Sequence, residues 1–153
     1  MFADALGADE KPGFAVTIAL TSHVRGDNCF GFPVPIAANE TKTFSGNTIA
    51  ASADRRGLEL CDSESTKDVV YELLPLATGK IFAVLTPNYD ASMYVRTSCT
   101  DVASQVLCAE LGNAKEPETL TLDVTEGLPY YFFVDGFKGD AGSYSIDFTL
   151  SPG

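Results

Sequence analysis

Between residues 143 and 150 the chain alternates Tyr144, Ile146, Phe148 and Leu150 with Ser143, Ser145, Asp147 and Thr149. Successive side chains of a strand point to opposite faces, so this period of two describes a strand with one apolar face and one wet one. Just upstream, Tyr130-Tyr131-Phe132-Phe133-Val134 is apolar on both faces, which suits a central strand covered on both sides. Between them lies Asp135-Gly136-Phe137-Lys138-Gly139-Asp140-Ala141-Gly142, whose three glycines permit the positive φ angles of a long loop. Residues 125–150 are therefore expected as two strands joined in a glycine-rich hairpin. Tyr130, Val134, Tyr144, Ile146 and Phe148 are assigned to the core.

The rest of the chain can be laid against that pair. Residues 1–13 carry little periodicity and end at the turn signal Pro12-Gly13, so they read as a tail or linker. Residues 14–20 alternate as a first strand. Pro33 and Pro35 keep residues 29–35 out of any helix interior and predict loop or sheet edge. Residues 41–44 and 48–52 read as a short hairpin about Ser45-Gly46-Asn47, and residues 54–67 as a polar loop. Further strands are expected near residues 69–74, 80–86, 91–97, 105–110 and 119–125, with a polar loop over 111–117. No stretch repeats apolar residues at helical spacing over about ten residues. About 8–10 short strands in 153 residues predict a single all-β domain over 14–153, an antiparallel β-sandwich of jelly-roll type.

Ten Lys and Arg stand against 21 Asp and Glu, a formal charge of −11. Such a surface repels nucleic acid and anionic lipid and favours cations and basic partners. No apolar run approaches the roughly 20 residues that cross a bilayer, so membrane insertion is not expected. The residues after Met1 lack the basic start and apolar region of a signal peptide; a removed leader, or a piece of a longer secreted protein, is the expectation. Four cysteines (Cys29, Cys61, Cys99, Cys108) form no CxxC pair and share the chain with one histidine, His23. Zinc is thereby disfavoured. Their even number in an acidic chain predicts two disulfides and a secreted, periplasmic or cell-surface location; four free thiols in a cytosolic protein are the alternative. Of three possible pairings, the local ones are favoured: Cys29 with Cys61 and Cys99 with Cys108.

Chemistry-bearing patterns are sparse. There is no GxSxG, HExxH or phosphate-cradling glycine loop, and His23 has no nucleophile beside it, so the chain is not expected to be an enzyme. Asp135 and Asp140 flank the glycine-rich loop, either as turn caps or as a second oxygen site. Phe137, Lys138 and Asp140 form a candidate binding loop at its tip. Tyr89, Tyr94, Tyr131, Phe137 and Tyr144 are the candidates for a flat stacking surface, although alternation already claims Tyr144 for the core. Arg25-Gly26-Asp27 spells an adhesive tripeptide that a Gly-Asp turn explains without one.

Taken in order, Gly26-Asp27-Asn28-Cys29, Cys61, Lys67-Asp68-Val69-Val70-Tyr71, Gly79, Asp90-Ala91-Ser92-Met93-Tyr94-Val95-Arg96, Cys99, Cys108, Gly127, Tyr130-Tyr131, Val134-Asp135-Gly136 and Gly142-Ser143-Tyr144 resemble the bacterial pre-peptidase C-terminal (PPC) domain family. The resemblance covers about residues 26–150 and is to the cysteine-containing branch, related to the collagen-binding domains of collagenases. It implies a non-catalytic jelly-roll sandwich appended to extracellular hydrolases or repeated in surface proteins. Such a domain binds a protein or polysaccharide surface, or neighbouring domains of its parent, and stabilises that parent. Collagenase relatives also bind calcium through acids ahead of the first core strand and just before the DVxxY-like element. The matching positions here are Asp27, Asn28, Asp62, Glu64 and Asp68. Calcium takes six to eight oxygens, roughly, and a Cys29–Cys61 bond would tie these positions together; the plain alternative is a solvated acidic loop. Where many relatives follow the last cysteine with Asn-Asp or Asp-Asp, this chain has Ala109-Glu110-Leu111, which counts against a site there. The expected function is an extracellular accessory domain, monomeric and linked to calcium. A small two-carboxylate hydrolase and a ligand-free spacer are the alternatives.

Overall fold

The computed structural model describes residues 26–29, 31–61, 66–111 and 113–153. The tail at 1–13, the strand expected at 14–20 and His23 lie outside these residues. Nine strands are present among them: β1 (Phe32–Ile36), β2 (Thr41–Asn47), β3 (Val69–Pro75), β4 (Gly79–Pro87), β5 (Ala91–Arg96), β6 (Gln105–Ala109), β7 (Glu118–Val124), β8 (Tyr130–Gly136) and β9 (Ser143–Pro152). Short 3₁₀ turns occur at Glu59–Cys61 and Val102–Ser104.

The strands form two sheets. One has the order β2-β9-β4-β7 and the other β1-β3-β8-β5-β6. Strands β2 to β9 thus take the jelly-roll order, with β1 added in parallel beside β3. Every link between consecutive strands passes from sheet to sheet except β5 to β6, which pair as neighbours. The expected hairpin over residues 125–150 is therefore corrected: β8 pairs with β3 and β5, while β9 pairs with β2 and β4. Residues 137–142 bridge the two sheets, which pack about 10 Å apart in such sandwiches. Periodicity assigns a residue to a face and is silent about the neighbouring strand.

Alternation does place the core. Tyr144, Ile146, Phe148 and Leu150 of β9 are buried, as are Tyr130, Phe132 and Val134 of β8. Phe148 meets Phe132 and Tyr71 edge-on, with centroids 5.1 and 5.6 Å apart, an arrangement the ring quadrupoles favour. Tyr71 and Tyr144 satisfy their buried hydroxyls with one another at 2.8 Å. The short hairpin expected about Ser45-Gly46-Asn47 is replaced by the single strand β2. Gly46 lies within it opposite Tyr144, and a Cβ on Gly46 would occupy the space of that ring. The edge reading of residues 29–35 holds. Pro33 and Pro35, which have no N–H to donate, sit in β1 at the end of its sheet.

Gly136 closes β8 where the chain turns toward the other sheet, and a Cβ there would run into the backbone carbonyl of Asp140. Backbone cannot step aside as a flexible side chain does. Gly136→Ala is expected to cost about 1–3 kcal/mol, read as a lower urea midpoint at unchanged slope; an unchanged midpoint would show that the loop yields freely.

Candidate functional site

The five-stranded sheet is covered on both faces. Its inner face packs on the other sheet, and its outer face presents Val70, Tyr131, Phe133 and Tyr94 to a second cluster containing Cys61 and Cys99. This explains why β5 and β8 are buried at every position. The cover includes the polar segment ahead of β3, fastened by disulfides Cys29–Cys99 and Cys61–Cys108. The local pairing expected from sequence is thereby overturned. Cys61 is carried over the sheet to the edge strand β6, so nearness in sequence did not choose its partner.

Arg96 is buried under this cover. Its guanidinium stands 4.6 Å from the Phe133 ring centroid and 5.4 Å from that of Tyr94. It donates to the carbonyls of Cys99 at 3.0 Å and Arg56 at 2.6 Å. Here a cation replaces apolar packing: it stacks on aromatic faces and holds two loops through their carbonyls. Burial pulls its pKa below the usual guanidinium range.

At the other end of the same face lies a buried acidic corner. Asp68 and Asp135 have no exposed surface. The Arg55 N–H donates to Asp68 Oδ1 at 3.2 Å, while Oδ2 has no hydrogen-bond partner among the described residues. Asp135 accepts from the Thr66 hydroxyl, from the Gly136 N–H at 2.8 Å, and from the Tyr94 hydroxyl at a long 3.4 Å. Ser92 faces Asp135 in register, and its buried hydroxyl likewise has no partner among the described residues. Removal from water pushes the Asp68 carboxyl up to about 8, helped by the Asp135 and Asp54 carboxylates.

Of the expected calcium ligands, Asp27 and Asp68 are brought to this corner through Ser52. The Ser52 N–H and hydroxyl donate to Asp27 at 2.6 and 3.0 Å, and its carbonyl accepts from the Asp68 N–H at 3.2 Å. Gly26 sits at φ 81° with its carbonyl accepting from the Val70 N–H, so Gly26-Asp27 is a turn clamped to β3. Asn28 is exposed, and Asp62 and Glu64 lie outside the described residues. No group of three or more His, Cys, Asp or Glu placed to hold a metal occurs among the described residues. Sequence reasoning passed over Ser92 and Thr66. The available signal was Ser92, a hydroxyl inside a strand otherwise fit for burial.

The glycine-rich loop is a braced turn. Asp140 Oδ2 accepts from the Asp90 N–H at 2.8 Å, and the Phe137 N–H donates to the Asp90 carbonyl at 2.9 Å. Phe137 is half-buried, with the Lys138 ammonium 5.0 Å from its centroid. Tyr89, Tyr94, Tyr131 and Tyr144 are buried, so the proposed stacking surface does not exist.

Among solved structures the chain is similar to the pre-peptidase C-terminal domain of a collagenase from Bacillus anthracis. The TM-score is 0.50 at 13% identity, over 76% of this chain and 93% of that one. The fold is PPC-like. At lower scores, the PPC-like sandwich is also similar to a periplasmic inhibitor of g-type lysozyme from Aeromonas hydrophila (TM-score 0.43, 12% identity, covering 78% and 96%). A cleaved adhesin domain of Lys-gingipain from Porphyromonas gingivalis follows (0.40, 12%, covering 72% and 74%). No known family's sequence profile matches the chain. No characterised protein matches it in sequence.

Proposed function

We propose that this protein is a non-catalytic, extracellular accessory domain that binds a protein or polysaccharide surface, or stabilises a parent protein, and that calcium supports its fold. The observation that carries the calcium part is Asp68: a fully buried carboxylate, beside a second one, with one oxygen unpartnered among the described residues. Such an arrangement calls for a proton or a cation. The available donors are all hard oxygens, the class that calcium takes. Asp68 and Asp135 would supply carboxylates, and Ser92 a hydroxyl. Bound calcium would supply charge compensation, holding Asp68 ionised and tying the segment ahead of β3 to the sheet. Two disulfides support an oxidising compartment. The buried pair Asp68 and Asp135 has no exposed surface and so does not serve the hydrolase alternative, which needs a carboxylate pair open to substrate.

Thermal unfolding at pH 8 tests the calcium reading. Calcium binding to the folded state alone stabilises by about 2–3 kcal/mol at roughly a hundredfold excess over Kd, so the melting temperature rises with calcium and falls in EDTA. Asp68→Asn removes the response. A melting temperature indifferent to both additions would end the calcium proposal. Hydrolysis of any member of a broad glycan and peptide panel would overturn the non-catalytic reading.

A further inference from the structure

Strands β1 and β2 each end their sheet, and between them the sandwich opens into a cleft of about 550 Å³. That lies in the range of roughly 300–1,000 Å³ typical of small-molecule sites. One wall is aromatic. Phe32 of β1, Phe44 of β2 and Tyr71 of β3 form a mutually packed trio, with ring centroids 5.2 to 5.9 Å apart. Phe32 and Phe44 are half-buried, while Tyr71 behind them is buried. The opposite wall is the stretch 43–47 of β2, and no lining residue carries a charge.

The floor of the cleft is polar. Tyr71 and Tyr144, exposed by only 2% and 5%, both line it, and their hydroxyls share one hydrogen bond. Burial raises the pKa of both phenols, so both keep their protons. Two O–H groups bring two protons to the pair. One is spent between them, and the second has no acceptor among the described residues. Gly46 leaves this pair within reach of the cleft: it lines the wall opposite Tyr144 in register, and the nearest atom to a Cβ there would be the Tyr144 hydroxyl. A buried donor without an acceptor is a cost to the fold. Core packing does not call for it, since phenylalanine at both positions would fill the same space.

We propose that this cleft binds a small uncharged ring compound bearing a carbonyl oxygen. The ring packs on Phe32 and Phe44, offset or edge-on as ring quadrupoles favour, and the carbonyl accepts the spare tyrosine proton at the floor. An anion meets the field of a chain at formal −11 and no base in the lining, and a cation finds no carboxylate there. The cleft shares no residue with the acidic corner at Asp68 and Asp135, so this binding goes beyond the accessory-domain reading and does not depend on calcium.

Chemical-shift mapping on the whole chain tests it. The probes are benzamide as the carbonyl-bearing ring, toluene as a ring without an acceptor, benzoate as the anion, and a blocked Thr-Val-Thr-Val peptide as an extended chain. Benzamide at millimolar concentration moves the signals of Phe32, Phe44, Gly46 and Tyr144. Toluene binds roughly two- to tenfold more weakly, and benzoate moves none of them. Tyr71→Phe combined with Tyr144→Phe removes both hydroxyls and leaves no group unpaired, so the melting temperature holds while the preference for benzamide over toluene disappears. Either single variant keeps one hydroxyl proton and with it the preference. Phe44→Leu, which stays apolar but loses the ring, weakens benzamide roughly two- to tenfold. The proposal is overturned by benzamide leaving those signals in place, or by a double variant that prefers benzamide as the wild type does. Shifts along β2 with the peptide and none with either neutral ring also overturn it, assigning the cleft to strand addition instead.

Discussion

Replacing Cys61 and Cys108 together by alanine lowers the unfolding free energy by about 4 kcal/mol in the loop-entropy account of cross-links. The bond joins residues 47 apart in sequence, and Cys29–Cys99 joins residues 70 apart. A domain has only about 5–15 kcal/mol in hand, so reduction of both bonds leaves most chains unfolded at physiological temperature. Entropy is not the whole of it. The two bonds hold a cover over Val70, Tyr94, Tyr131 and Phe133, and without that cover the outer face of the five-stranded sheet returns to water. Urea titrations with and without reductant measure the loss. Mass mapping of a non-reduced digest gives linked peptides 29–99 and 61–108; a peptide joining Cys29 to Cys61 would refute this arrangement and restore the local pairing.

The second large effect belongs to pH. Asp68 titrates near 3.8 in an unfolded chain and near 8 in the fold, through burial first and the neighbouring carboxylates second. Between those values the folded state holds a proton that the unfolded state has lost. Stability is therefore full below about pH 4, declines as pH rises through the window, and has lost this contribution above about pH 8. At about 1.4 kcal/mol for each pH unit crossed, the decline amounts to several kcal/mol in EDTA. Melting temperatures from pH 4 to 8 will show this slope in the wild type and a much weaker one in Asp68→Asn. If calcium binds as proposed, saturating calcium flattens it, because the cation would then balance the charge the proton had suppressed. A wild-type slope no steeper than that of the variant would mean that Asp68 is not isolated from water.

These two predictions draw on different levels of description. Alternation of apolar and polar residues was enough to place Tyr144, Ile146, Phe148 and Leu150 in a core, because side-chain direction along a strand is a local property of the backbone. The same local rule recognised β8 as covered on both faces, and the missing N–H of Pro33 and Pro35 kept that stretch to loop or sheet edge. Asp68, just ahead of a core strand, was singled out by the resemblance to the PPC family rather than by that rule. What covers the second face of β8 is not local, and neither is the partner of any strand.

The hairpin expected over residues 125–150 illustrates the boundary. Two good strands and a glycine-rich loop are compatible with pairing in one sheet and with an arch between two, since loop geometry and face polarity are met either way. The choice is made by the other strands, which fill the places beside β8 and β9. The cysteines follow the same logic: their number predicted two bonds, but their pairing depended on which loops the folded sheet brings within reach. The buried meeting of Asp68, Asp135 and Ser92, and the placing of Gly46 opposite Tyr144, were likewise settled by register. The sequence by itself determined the fold class, the core faces and the acidic character of the chain; only the tertiary structure decided strand partners, disulfide pairing and which polar groups meet, because those depend on contacts between residues far apart in the chain.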